Sequence, residues 1–189
     1  MIPVYITQII GEVVAKVEDN ILETIKENET AALGSTGIQK INFQHGHKRE
    51  LLETLAQMDQ SSEERELKYP LVYLVQDFSE ERGRSVGIYA DTSLNIIIAH
   101  HTVNTDKITD RETKVFYPVL YPIYYELMEQ LTKHKGIFDS YLDMIRHRKT
   151  DRAYWGRNAI GGTDATKLKD YVDAIELENL QLKINFKIC

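Results

Sequence analysis

The chain has 189 residues, a formal net charge of −6, 42% hydrophobic and 28% charged residues, and a single cysteine. That length suffices for one domain with a sizeable core, and one cysteine excludes an internal disulfide. The acidic balance excludes a basic grip on nucleic acid, but not an acidic surface past which DNA slides.

Ile6, Ile9, Ile10, Val13, Val14, Val17, Ile21 and Ile25 recur at helical spacing and predict an amphipathic helix over Pro3–Lys26. The polar, glycine-bearing stretch Glu27–Gly37 is expected to end it. Ile38–Phe43 reads as a short strand broken by Gly46. Lys48–Met58 reads as a helix with Leu51, Leu52, Leu55 and Met58 on one face. Gln60–Lys68 reads as a charged loop. Tyr69–Phe78 and Leu94–His100 are apolar at both alternating sets, as central strands covered on both faces are. Between them, Ser79–Ser93 is too long for a tight turn and reads as a projecting hairpin extension. Thr102–Thr113 is a second polar excursion.

Pro118–Lys133 predicts a helix starting at Pro118 or, given the cost of an interior proline, near Pro122. Tyr117, Tyr121 and Tyr125 form one stripe on it, equally readable as core flank or as a contact face. Phe138–Thr150 offers a short helix around Tyr141, Leu142 and Ile145, then a basic patch at Arg146–Lys149. Tyr154–Thr163 is glycine-rich loop. The closing strand Ala174–Phe186 carries Ile175 and Leu177, then Leu180, Leu182 and Ile184 one residue out of step, which predicts a bulge near Glu178–Asn179. No repeat or domain boundary is visible. The fold expected is α+β, a mainly antiparallel sheet with flanking helices, in one domain over residues 1–189.

Few constellations suggest chemistry. His45, His47, His100 and His101 sit at strand ends and, with Asp77, form the alternative reading of a metal-dependent hydrolase or nuclease. No Cys or Glu-x-x-His pattern completes a ligand set, and turn histidines are the plainer explanation. Asp77, Glu80, Glu81 and Asp91 read as a solvated acidic loop around the hairpin. Gly156–Thr163 lacks the Gly-Lys-Ser/Thr of a phosphate loop. Its flanking Tyr154 and Trp155 are residue types that dominate interface energies.

The element order, with Gly46-His47 followed by Glu50–Leu52, then Lys68–Val72, Gln76–Phe78, Leu94–Ala99, Pro118–Tyr124 and Tyr171–Leu180, resembles the tail-terminator and tail-completion (neck) proteins of tailed bacteriophages. The resemblance implies a non-enzymatic virion protein forming a homo-oligomeric ring, a hexamer in that family. Such a ring sits at the head-proximal end of the tail or in the neck. It ends tail-tube polymerisation and joins tail to head. The implied partners are further copies of itself, the tail-tube protein and a neck or head-completion protein. DNA passes through the lumen without specific binding. No cofactor, metal or membrane enters. The location implied is the virion, assembled in the host cytoplasm, in keeping with apolar runs too short to span a bilayer and with Ile2–Ile10 lacking the marks of a secretory signal. Residues near 79–93, 102–113 and 138–170 stand as insertions to the family core. On this reading Glu80, Glu81, Arg82, Arg84, Tyr89 and Asp91 make subunit or tube contacts. Tyr154, Trp155 and Arg157 form an arm onto an adjacent ring, so that Trp155→Ala is expected to weaken assembly and leave the monomer folded.

Overall fold

In the computed structural model, which describes residues 5–82, 89–137, 145–155 and 170–185, the first helix (α1) runs over Ile6–Leu33. It outlasts the expected end at Lys26. Residues 27–33 include strong helix formers, and Ile25 and Glu29 continue the buried stripe. Gly34 stops the helix at φ 81°, and its N–H reaches Thr30 O at 2.7 Å. Glycine supplies this left-handed conformation without steric cost.

The first strand (β1) is Asn42–Gly46, later than the expected 38–43. Ile38 and Ile41 are buried ahead of it, and pairing begins where Asn42 N–H donates to Pro70 O at 2.8 Å. Helix α2, Lys48–Met58, forms as predicted. The charged stretch after it contains a one-turn helix (α3), Ser62–Glu66, whose N-cap Ser61 accepts the Glu64 N–H. Strands β2 (Leu71–Arg82) and β3 (Tyr89–His101) follow. A short helix (α4), Ile108–Arg111, then opens into a π-helical segment over Glu112–Leu120 and continues as helix α5, Tyr121–Lys133.

The helical rod therefore begins ten residues before Pro118, not at either proline. Pro118 and Pro122 lack the N–H for the usual i→i−4 bond. In the wider π turn Tyr121 N–H reaches back to Phe116 O instead, which accommodates the missing donor. Strand β4 is Arg148–Arg152 and strand β5 is Val172–Asn185. The helix expected around Tyr141 and Leu142 lies outside the described residues, and the basic patch that follows leads into β4.

Among the described residues five strands form one sheet in the order β1-β2-β3-β5-β4, with only β1–β2 parallel. The fold is α+β with a mainly antiparallel sheet, as the patterning predicts. One face carries Val72, Leu74, Leu94, Ile96, Ile98, Ile175, Leu177, Leu180, Leu182 and Ile184 under α1, the π segment and α5. The other face carries Leu71, Tyr73, Val75, Ile97, Ala99, Val172 and Ala174 under Leu51 and Leu55 of α2. Strands β2 and β3 are thus covered on both sides along their apolar halves.

The predicted bulge is present. Leu94 opposes Leu180 and Ile96 opposes Leu177, so β5 holds one extra residue between them. Asn179 takes it up at φ 53°, a conformation Asn tolerates better than most residues. Its N–H donates to Asn95 Oδ1 at 3.0 Å. The extra residue returns Leu180, Leu182 and Ile184 to the face of Ile175 and Leu177.

Candidate functional site: sheet edges and a three-stranded extension

Either side of residues 83–88, which lie outside the described residues, the expected projecting hairpin is regular strand with a third member. Beyond an irregularity between Val75 and Ser79, β2 pairs Ser79 with Ser93, Glu80 with Thr92, Glu81 with Asp91 and Arg82 with Ala90. Strand β5 runs along the far side of β3, pairing Thr92 with Leu182, Asp91 with Lys183 and Tyr89 with Asn185. One face of this extension is anchored: Ala90, Thr92, Leu182 and Ile184 are buried, and Ile137 bridges to Ile184. The opposite face is polar, with Ser79, Glu81, Asp91, Gln181 and Lys183 exposed. Glu81 lies directly across from Asp91. Like charges so placed repel, and Lys183, across from Asp91 on its other side, offsets them in part.

Of the residues expected to make contacts, Glu80, Glu81 and Asp91 are exposed on this extension. Arg82 and Tyr89 are placed by their backbone at its outer end. Arg84 and Arg157 lie outside the described residues.

The sheet has two edges. Strand β1 covers β2 only along Leu71–Val75, so the outer side of residues 76–82 has no strand beside it among the described residues. At the other end β4 is outermost among the described residues. Beside β4, the tyrosine stripe lies open. Tyr117 and Tyr125 are 59% and 66% exposed, and Tyr121 stacks against both at ring separations of 5.6 and 6.4 Å. Lys149 of β4 sits over the Tyr121 ring at 4.6 Å. The Tyr121 hydroxyl donates to Asp151 at 2.8 Å. Burial and that neighbouring carboxylate push the phenol up to about 12. The stripe is therefore a face with two aromatic rings open to contact, fastened to an edge strand.

The expected arm at Tyr154 and Trp155 is corrected. Trp155 is 1% exposed and belongs to the core on the α2 face. Its indole N–H donates to Glu176 Oε1 at 2.7 Å. Tyr154 is clamped at φ 56°: its N–H donates to Asp173 Oδ1 at 2.9 Å, its hydroxyl to Asp106 O at 3.0 Å, and its ring lies 3.5 Å from the Arg111 guanidinium. A bulky residue holds a left-handed backbone only where its surroundings over-determine it. Neither side chain is a free anchor: Trp155 closes the sheet's second face, and Tyr154 is held by Asp173, Asp106 and Arg111.

The opposite end of the sheet carries buried ion pairs that sequence reading did not find. Arg111 and Asp173 are both fully buried and meet at 2.6 Å. Lys68, 1% exposed, is held between Asp59 at 2.7 Å and Asp170 at 2.5 Å. Tyr69 donates to the same Asp170 at 3.2 Å. Burial first, then that carboxylate, drives its phenol well above the ordinary value. His100 bonds Glu29 at 2.9 Å. Lys68, Tyr69, Asp170, Glu29 and His100 line a cleft of about 390 Å³ with His101 and Thr102, in which the buried His100 Nδ1 and Thr102 Oγ1 have no hydrogen-bond partner among the described residues.

The histidines do not converge. His45 bonds Gln76 at the β1 end, His100 is committed to Glu29 on one face, and His101 lies beside Tyr69 on the other. Among the described residues no group of three or more His, Cys, Asp or Glu side chains is placed to hold a metal ion.

Two buried carboxylates set the expected response to acid. Burial alone would raise Glu29, but donors from His100, Thr36 and Gly37 outweigh it and hold the carboxyl low. Burial would likewise raise Glu176, and Trp155 and Arg152 overcome it. Both are depressed from 4.5, so the unfolded chain binds protons more readily. Their stabilisation is complete above pH 4.5 and is lost as pH falls through the lower folded values. Glu29→Gln and Glu176→Gln are expected to flatten the acid limb of stability against pH in urea titrations. An unchanged limb would place the acid sensitivity elsewhere.

Among the described residues no helix is long and apolar enough to cross a membrane. No family model, curated protein or solved structure matches the chain.

Proposed function

We propose that this chain is a virion assembly protein, a ring-forming subunit of tail-terminator or neck type. The observation that carries the reading is the three-stranded, charge-bearing extension on a sheet whose two edges face opposite ways. An exposed strand edge is a template for pairing with another chain. Contacts made with unlike surfaces repeat head to tail and close into a ring when the rotation permits.

The sequence resemblance supports a phage-tail context and supplies the expected partners: copies of itself, the tail-tube protein and a neck or head-completion protein. The net charge of −6 suits a lumen that DNA crosses without being held by phosphate contacts. In this reading the ring stops tube growth by presenting tube-like contacts on one side only.

The test is a growth assay. Purified chain added to polymerising tail-tube protein is expected to arrest elongation at a low ratio of chain to tube subunits, because only tube ends bind it. Unchanged tube lengths with equimolar chain present would overturn the proposal.

A further inference from the structure

Both edges of the sheet are charged, and with opposite sign. Strand β4 carries Arg148, Lys149 and Arg152 against one Asp151, and Arg146 leads into it. The outer side of β2 beyond β1 carries Asp77, Glu80 and Glu81, all exposed, against one cation, Arg82, at its end. The basic edge is partly neutralised from within: Arg148 meets Glu178 at 3.6 Å, Lys149 meets Asp151 at 2.5 Å and Arg152 meets Glu176 at 2.9 Å, which leaves Arg146 and Arg148 as its most available cations. The Arg148 pair is long and its guanidinium is 73% exposed, so it is a weak competitor for a new partner. Arg152 uses only its Nε on Glu176, and a guanidinium has further donors.

We infer that β4 of one copy pairs with the outer edge of β2 at residues 76–82 of a second copy, and that this contact builds the ring. The inference rests on the reading of the chain as a self-assembling ring subunit and names the surface that reading leaves open.

Opposite signs at the two ends of one sheet have a further consequence. Two β4 edges repel each other, and so do two β2 extensions. A closed two-fold dimer through either edge is therefore disfavoured, and only the head-to-tail contact is attractive. Backbone pairing supplies the joint, as in strand addition to a sheet edge, and the charges set which edges meet. Tyr117 and Tyr125 lie beside β4, where they can cover the joint with aromatic surface.

The test uses the full chain and two charge-reversed variants chosen at exposed positions. Arg146→Glu/Arg148→Glu makes the β4 edge acidic, and Asp77→Lys/Glu81→Lys makes the β2 edge basic. Circular dichroism and thermal unfolding check that each variant is folded. Sedimentation velocity up to millimolar concentration then reads assembly. Wild type is expected to assemble. Each variant alone should need roughly 100-fold or more higher concentration, since like charges face each other at every joint. An equimolar mixture of the two should reassemble, because each reversed edge meets its complement.

Assembly of either variant at wild-type concentration, or failure of the folded mixture to reassemble, would overturn the edge pairing and leave the ring reading standing. A wild type that stays monomeric throughout would overturn both.

Discussion

Arg111→Ala is expected to lower stability by about 3–5 kcal/mol, the usual cost of leaving one partner of a buried ion pair alone. The guanidinium is fully buried and bonds Asp173 Oδ1 at 2.6 Å through Nη1, Asp106 O at 3.0 Å through Nε and Val103 O at 2.9 Å through Nη2. It also supports the Tyr154 ring at 3.5 Å. Removing it leaves a carboxylate with no solvent access holding only the Tyr154 N–H, and takes a donor from two carbonyls and the support from an aromatic held at positive φ. Asp173 Oδ2 already has no partner, so the site has no reserve. For a chain of this size the loss corresponds to a melting temperature lower by roughly 6–20 °C. Arg111→Met combined with Asp173→Asn should recover much of it, because the orphaned charge is gone. Thermal unfolding of both variants checks this. A single variant within about 1 kcal/mol of wild type would mean that the pair is not buried as described.

Trp155→Ala comes second, and it separates two accounts of one residue. Read as an interface anchor, the tryptophan should matter for assembly and not for folding. Its position in the core on the α2 face, 1% exposed, requires the reverse. Truncation opens a cavity beside the sheet and costs about 3–5 kcal/mol. It also removes the donor to Glu176, which is 6% exposed. Trp155→Phe isolates that second contribution: it keeps most of the apolar volume and is expected to cost about 1–3 kcal/mol for the lost donor to Glu176 Oε1, with Arg152 still on Oε2. Urea unfolding of the two variants checks the ordering. A Trp155→Ala variant as stable as wild type would return the residue to the surface.

What was legible in the sequence was what apolar spacing records. The two central strands, α2 and the bulge at Glu178–Asn179 followed from which residues share a face, because burial on one side of a strand imposes a period of two and an extra residue shifts it. The end of α1 and the start of the rod containing α5 were misplaced for a related reason. Glu29 is polar yet buried against His100, so the apolar stripe understates the helix. At Pro118 a π-helical path removes the conflict that argued for a helix start.

Buried polar partners were not legible, since Arg111 and Asp173 are 62 positions apart and only the fold brings them together. A signal existed at one end of the contact. Asp173 and Glu176 interrupt an otherwise apolar strand, and charges in a covered strand need buried partners. That reasoning says that Glu176 needs a buried donor; that the donors are Trp155 and Arg152 only the fold shows. Of the candidate surface, the acidic extension was read from composition. The opposing charge of β4 became meaningful only when the strand order placed it at the far edge.

The central claim is that the chain closes into a ring that caps a tail tube. Cryo-electron microscopy of the purified chain mixed with tail tubes tests it most directly. The account predicts a closed ring at one end of each tube, with the extension of β2, β3 and β5 at a subunit or tube contact. Bare tube ends, with the chain left as free monomers in the same images, would contradict it.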